Sequence, residues 1–259
     1  MAKRLVVALL MVVALVVARP AWAPFHLMAI QELSFGTSNA PGAQYMQLRT
    51  LASGQVFVGG QRMTTQTADG TAAANFGRFD MDIALTNGDE GVAILAGTQE
   101  AHDLYCVAMD QLVTGQLVFP DGRTCFGVFA SKPVDCVAYG SFTGANGIFG
   151  QPAVRPVFGK ALTRVDSTNN NATAFTLDDP APKNNSGEMG QIDGTPGDPD
   201  GTGDIDVADL DHEVAVLFEA GKRCDLTDPD RRGADANIDT RINAADVTAT
   251  IMIALPAST

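Results

Sequence analysis

Two twelve-residue stretches near the C-terminus carry oxygen side chains at alternate positions in one shared frame. The first runs from Asp198 through Asp200, Thr202, Asp204 and Asp206 to Asp209. Gly203 stands at position 6 and Ile205 at position 8. The second runs from Asp235 through Asn237, Asp239, Arg241 and Asn243 to Asp246, starting 37 residues later. A hard cation such as calcium takes six or more oxygens at once, and a twelve-residue loop supplies them from alternate positions. Two matches in one frame, each followed by an amphipathic helical pattern, point to paired calcium loops.

The charge distribution agrees. The chain has 259 residues and a net charge of −13. From Asp178 onward 18 acidic residues face 6 basic ones, while residues 1–177 are nearly balanced. With no basic patch to neutralise phosphates, nucleic acid is an unsuitable partner.

After the first loop, Leu210, Val214, Leu217 and Phe218 fall on one helical face, and Gly221 offers a stop. After the second, Val247, Ile251, Ala254 and Leu255 repeat that spacing before Pro256. Neither stripe can be buried by its own helix, so the two are expected to pack together. Thr240 sits at position 6 of the second loop, where a positive φ is needed. A β-branched residue resists that conformation, so the second site is expected to be the weaker.

The N-terminus reads as a secretory signal over residues 1–23. Lys3 and Arg4 precede an apolar run of 14 residues from Leu5 to Ala18, short for a membrane span. Cleavage after Ala18 or after Ala23 both fit, and a retained anchor is the alternative. Export implies an oxidising compartment for Cys106, Cys125, Cys136 and Cys224. Cys125 and Cys136 lie in neighbouring strand-like runs and are the favoured pair. Cys106 and Cys224 either stay free or bridge the two parts.

Residues 24–180 alternate short apolar runs with turn signals, the pattern of an all-β sandwich or barrel. Strand-like runs include Gln55–Val58, Gly91–Leu95 after the Asn87-Gly88-Asp89 turn, and Gln116–Phe119. Ala72–Phe79 lacks a period and reads as a loop, and Gln99–Met109 is a possible helix. Residues 181–197 are rich in Asn, Ser, Gly and Pro, as in a linker.

Two family resemblances follow. Ile30-Gln31-Glu32-Leu33 followed by Ala43-Gln44-Tyr45-Met46-Gln47-Leu48 resembles the opening of a lamin-tail domain of the bacterial secreted kind. Asp135–Phe142, Gly159–Val165, Asn170–Phe175 and the Pro-rich exit at Asp179–Asn184 resemble its closing strands. This resemblance implies an immunoglobulin-like β-sandwich with no catalytic residues, serving as a binding or structural module. The duplicated loop and helix of residues 198–259 resemble an EF-hand-like dockerin, which implies docking to a cohesin-like or other surface protein and Ca²⁺ ligation by the side chains of Asp198, Asp200, Thr202, Asp206 and Asp209 with the Asp204 carbonyl, and by those of Asp235, Asn237, Asp239, Asn243 and Asp246 with the Arg241 carbonyl. Asp at position 12 belongs to that pattern. Val207-Ala208 and Ala244-Ala245 depart from the usual Ser-Thr recognition pair, so no particular cohesin is implied.

Catalytic constellations are missing from the sequence: it holds no HExxH, no GxSxG and no P-loop. His102 precedes Cys106 by one helical turn, far short of a zinc signature. Asp80 with Asp82, or Asp178 with Asp179, are the carboxylate pairs nearest to a glycosidase arrangement, and nothing places either across a cleft. Asn171-Ala172-Thr173 and Asn184-Asn185-Ser186 are glycosylation sequons or ordinary turns. The expectation is a secreted or cell-surface, non-enzymatic binding protein: a mainly β body and a small α-helical calcium module. The alternatives are a component of a polysaccharide-degrading complex attached through its dockerin, and a surface adhesion or scaffold protein.

Overall fold

A computed structural model describes residues 25–55, 57–83, 90–190, 195–199, 202, 204–218 and 233–255. The expected signal segment, the Asn87-Gly88-Asp89 turn, Asp200, Gly221, Cys224 and Pro256 lie outside the described residues. The described chain is mainly β, with ten strands in two sheets, which fits a β-sandwich. In chain order the strands are β1 (Met28–Phe35), β2 (Gln44–Thr50), β3 (Arg62–Thr67), β4 (Ala73–Arg78) and β5 (Ala93–Gly97), then β6 (Gln111–Leu112), β7 (Gly122–Phe129), β8 (Lys132–Tyr139), β9 (Ala161–Arg164) and β10 (Phe175–Asp178). One sheet has the order β10-β9-β1-β2-β5-β6 and the other β4-β3-β7-β8. Among the described residues, no helix is long and apolar enough to cross a membrane.

Strand β1 shows how the residues choose the fold. Met28, Ile30, Leu33 and Phe35 all belong to the main core, although their spacing is 2, 3, 2. A register shift between Ile30 and Glu32 absorbs the odd step, as a β-bulge does. Glu32 and Ser34 then point to the opposite face, and they too are buried. The other face is covered by α1 (Gln99–Tyr105), whose Ala101, Leu104 and Tyr105 pack with Ala43, Tyr45 and Leu95. The six-stranded sheet therefore buries both faces, with Met46, Leu48, Ile94 and Ala96 turned to the second sheet.

The two sheets are joined by a buried ion pair. Arg164 of β9 reaches Asp135 of β8 at 2.5 Å and donates through Nε to the carbonyl of Ile30 at 2.8 Å. Asp135 also accepts from the Ile30 amide at 2.8 Å, and the guanidinium lies 4.5 Å from the centre of the Phe175 ring. Within the second sheet, β7 and β8 form a hairpin in which Cys125 and Cys136 are opposed and disulfide-bonded. Its two-residue turn, Ala130-Ser131, has both φ angles positive. That is the backbone of a primed turn, usually carried by Asn and Gly.

Several expectations are corrected. Ala73–Arg78 forms edge strand β4 instead of a loop. The described part of Gln55–Val58 is not a strand, and neither is Gln116–Phe119, where Leu117 and Val118 donate their amides to side chains instead of a ladder. The helix at residue 99 exists and ends at Tyr105. Residues 181–190, expected as a linker, lie against the body. The Ala181 amide donates to Glu32 Oε1 at 2.9 Å and the Lys183 amide to Gln47 Oε1 at 2.6 Å. Asn184 and Asn185 are buried. The sequon asparagines are structural: Asn171 spans β8 by donating to the Cys136 carbonyl and accepting from the Ala138 amide.

Removing one partner of a buried ion pair strands the other charge. Arg164→Met is expected to destabilise the chain by about 3 kcal/mol, read as a shift in urea midpoint; a loss under about 1 kcal/mol would show that the pair does not tie the sheets. Burial raises the carboxyl pKa of Glu32, Asp110 and Asp135 above its ordinary value. A carboxyl raised on folding favours the folded state at low pH, a contribution lost as pH rises through the folded value. Hydrogen bonds from Thr67 and Thr71 lower Asp69 to about 2, and Arg155 lowers Asp121; these contributions vanish at still lower pH. With a chelator present, stability should rise as pH falls from neutrality toward about 4.5, then decline. A midpoint that falls steadily over that span contradicts the assignment.

Candidate metal centre

The two acidic loops lie side by side. The Gly197 amide, just before the first loop, donates to the carbonyl of Gly233 at 2.8 Å, just before the second. Gly233 has φ +82, and a Cβ there would fall 2.3 Å from the Thr195 carbonyl. Only glycine allows so close an approach.

Within the loops the same hydrogen bonds recur. At position 9, the amides of Asp206 and Asn243 each donate to the position-12 carboxylate, Asp209 or Asp246, at 2.7 Å. At position 11, the amides of Ala208 and Ala245 donate back to the position-9 side chains at 2.7 and 2.9 Å. Each loop thus folds its position-12 carboxylate inward and starts its helix: α3 (Val207–Phe218) or α4 (Ala244–Ala254). Asn243 is the N-cap of α4 and forms a capping box with Asp246. The second loop is seen in full. Asp235 accepts from the Asp239 and Thr240 amides at 3.0 and 3.1 Å, Asn237 from Asp239 at 2.9 Å, and Asp239 from Arg241 at 2.9 Å. Thr240 has φ +75, the conformation that its place in the frame requires.

In the first loop Asp198 and Asp209 are buried, while Thr202, Asp204 and Asp206 are exposed. The Thr202 hydroxyl donates to the Asp204 carbonyl at 3.3 Å. Asp200 lies outside the described residues.

The helices pack differently from the expected apolar stripes. Val214 and Phe218 of α3 are exposed, Phe218 by 86%, and Ile251 and Leu255 of α4 are exposed as well. The buried faces are Asp209, Glu213 and Val216 on α3, and Asp246 and Thr250 on α4. The cause is geometric. Each position-12 carboxylate must reach back into its own loop, which sets the rotation of the helix behind it. The residue one turn later then faces the partner helix. Those residues are Glu213 and Thr250, and the Thr250 hydroxyl donates to Glu213 Oε1.

Glu213 is the buried acid between the helices that the sequence reading missed. It is 1% exposed and its Oε2 has no hydrogen-bond partner. Burial raises its pKa, with the charges of Asp246 and Asp209 adding to the effect. Burial likewise raises Asp246, with contributions from Asp235 and Asp239. The signal was the spacing from Asp209 to Glu213, two acids one turn apart on one face of a helix that also carries Asp211 and His212. Carboxylates and amides gathered this closely form a hard-oxygen donor set, the chemistry that Ca²⁺ takes. Among the described residues, no group of three or more His, Cys, Asp or Glu side chains is arranged to hold a metal by itself. The loop sequences also carry Thr202, Asn237 and Asn243 as oxygen side chains.

The other sequence candidates are engaged elsewhere. His102 Nδ1 lies 2.8 Å from the Val107 carbonyl, and Cys106 is disulfide-bonded, so they form no thiol or metal site. Asp82 accepts from the Gly59 amide, Asp80 bonds Gln111, and Asp179 pairs with Lys160.

Thr240→Gly removes a Cβ from a left-handed position. It should raise the unfolding free energy of residues 195–255 by about 1 kcal/mol, measured by hydrogen exchange of the α4 amides. A loss of protection would show that the threonine side chain contributes more than its strain costs. No protein-family model matches the chain, and no curated protein matches it.

Proposed function

We propose that this is an exported, non-enzymatic binding or structural protein whose C-terminal module is organised by calcium. The body is read as a lamin-tail-like domain with an immunoglobulin-like sandwich, and residues 198–259 as a dockerin-like EF-hand pair. The observation that carries the reading is the recurrence of one hydrogen-bonded frame in both loops, converging on Glu213. Like charges held together in a half-buried place repel, and a divalent cation removes that cost.

The residues that would hold the ions follow from the frame. They are Asp198, Asp200, Thr202, Asp206 and Asp209 with the Asp204 carbonyl, and Asp235, Asn237, Asp239, Asn243 and Asp246 with the Arg241 carbonyl. Bound calcium supplies positive charge and oxygen coordination. The chain's own part is to hold the carboxylates inward through loop amides and to couple the two loops through Glu213 and Thr250. Ordering the helices then presents an outer face bearing Val214, Phe218, Met252 and Leu255, all exposed. Exposed apolar residues on adjacent helices suit docking to a protein partner of the cohesin-like or other surface kind. That reading includes delivery of the body to a surface assembly, as adhesion, scaffold or polysaccharide-degrading component.

In the intact chain, chelation should speed hydrogen exchange across residues 207–218 and 244–254 and leave the β1–β2 and β7–β8 ladders protected. Adding about 1 mM calcium, within the range of extracellular modules, should restore protection. Asp246→Ala should abolish that response in α4. Helices equally protected with and without chelator would remove calcium from the account.

A further inference from the structure

The second loop touches the body through the Ile238 side chain and through the carbonyls of Asn237 and Ile238. Ile238, at position 4, packs against the cluster built from Ala40, Ala43, Tyr45, Leu104 and Tyr105. Its carbonyl accepts from the Thr37 hydroxyl at 3.3 Å, and the Asn237 carbonyl accepts from the Asn39 side chain. Ile238 has φ +56 and Thr240 φ +75. β-Branched residues avoid this region, so something must hold both. Asp235 and Asn237 accept the Asp239 amide just after Ile238, Asp235 also accepts the Thr240 amide, and Asp239 accepts that of Arg241. The residues that fix the backbone around Ile238 are therefore the candidate ligands themselves.

Electrostatics points the same way. Glu100 and Asp103 of the body line a cleft of about 520 Å³ together with Asp239, Thr240 and Arg241 of the loop. An ion-free loop sets Asp239 in one cleft with two further acids, and among the described residues that line it Arg241 is the one cation.

We infer that calcium in the second loop seats the C-terminal module on the sandwich, with Ile238 as the latch and the Thr37–Ala43 turn and α1 as its seat. The inference rests on the calcium reading and adds an intramolecular partner for this loop. The ion cancels the repulsion across the cleft and holds residue 238 in the strained conformation that aims it at the seat. Without it, the strain and the repulsion act together to lift the loop.

The test uses the intact, oxidised chain, with calcium titration calorimetry beside hydrogen exchange of residues 37–43. In calcium the seat should be protected, and chelation should speed its exchange at least about tenfold. Ile238→Asn replaces the latch with a polar residue that tolerates a left-handed backbone. It should keep the binding heat and lose the seat's protection even in calcium. Asn39→Ala should loosen the seat from the body side without touching the loop. Binding heat with unchanged seat protection on chelation would overturn the latch and leave the calcium reading standing. Protection retained in Ile238→Asn would overturn it too. No binding heat at all would remove the calcium reading and the latch with it.

Discussion

The C-terminal architecture depends on one constraint: the last carboxylate of each acidic loop must fold back onto that loop's own amides. Asp209 and Asp246 do this through matching 2.7 Å hydrogen bonds. Once they turn inward, the helices behind them have no rotational freedom left. The residues one turn later, Glu213 and Thr250, meet between the helices. The internal repeat thus becomes a spatial pairing, and the apolar residues that a free helix would bury are turned outward. Local electrostatics here overrides the hydrophobic pattern, because a buried carboxylate without donors costs more than an exposed Val or Phe loses.

A second constraint shapes the body. The six-stranded sheet is covered on both faces, by the other sheet and by α1 with the segment after β10. Polar residues on its outer face must therefore find partners within the protein. Glu32 accepts from Tyr45, Thr163 and the Ala181 amide. Gln47 holds the Lys183 amide, and Asp110 holds those of Leu95 and Asn185. These side chains fasten the chain's exit from the sandwich, which explains why a composition typical of linkers takes one fixed path. The path leads past Tyr105 and Val107, against which Gly190 lies too closely for any side chain.

The sequence made some of this legible through local chemistry. The loop frame, the start of both helices and the positive φ at Thr240 follow from residue types at fixed positions. The Cys125–Cys136 pairing follows from two strand-like runs joined by a short turn. The misses arise where tertiary context decides. Strand β4 has the sequence Ala-Ala-Asn-Phe-Gly-Arg and lies at a sheet edge, where one buried Phe76 suffices and no period is needed. Gln116–Phe119 has strand-like residues, yet Gln44 and Thr65 side chains take its amides. The hairpin turn uses Ala130-Ser131, which carries no turn signal. Glu213 escaped notice because an acid within a helix ordinarily faces water.

Ile238 belongs to this last group, and its case is the most instructive. An isoleucine between Asn237 and Asp239 is costly there twice over. It exposes an apolar side chain if the loop is free, and it strains the backbone at φ +56. Both costs disappear only if the side chain is buried and the backbone is held. The cluster under α1 does the first, and the carboxylate and amide oxygens around residues 235–241 do the second. A loop that both held calcium and formed a contact surface would satisfy both demands with one conformation, which would couple them.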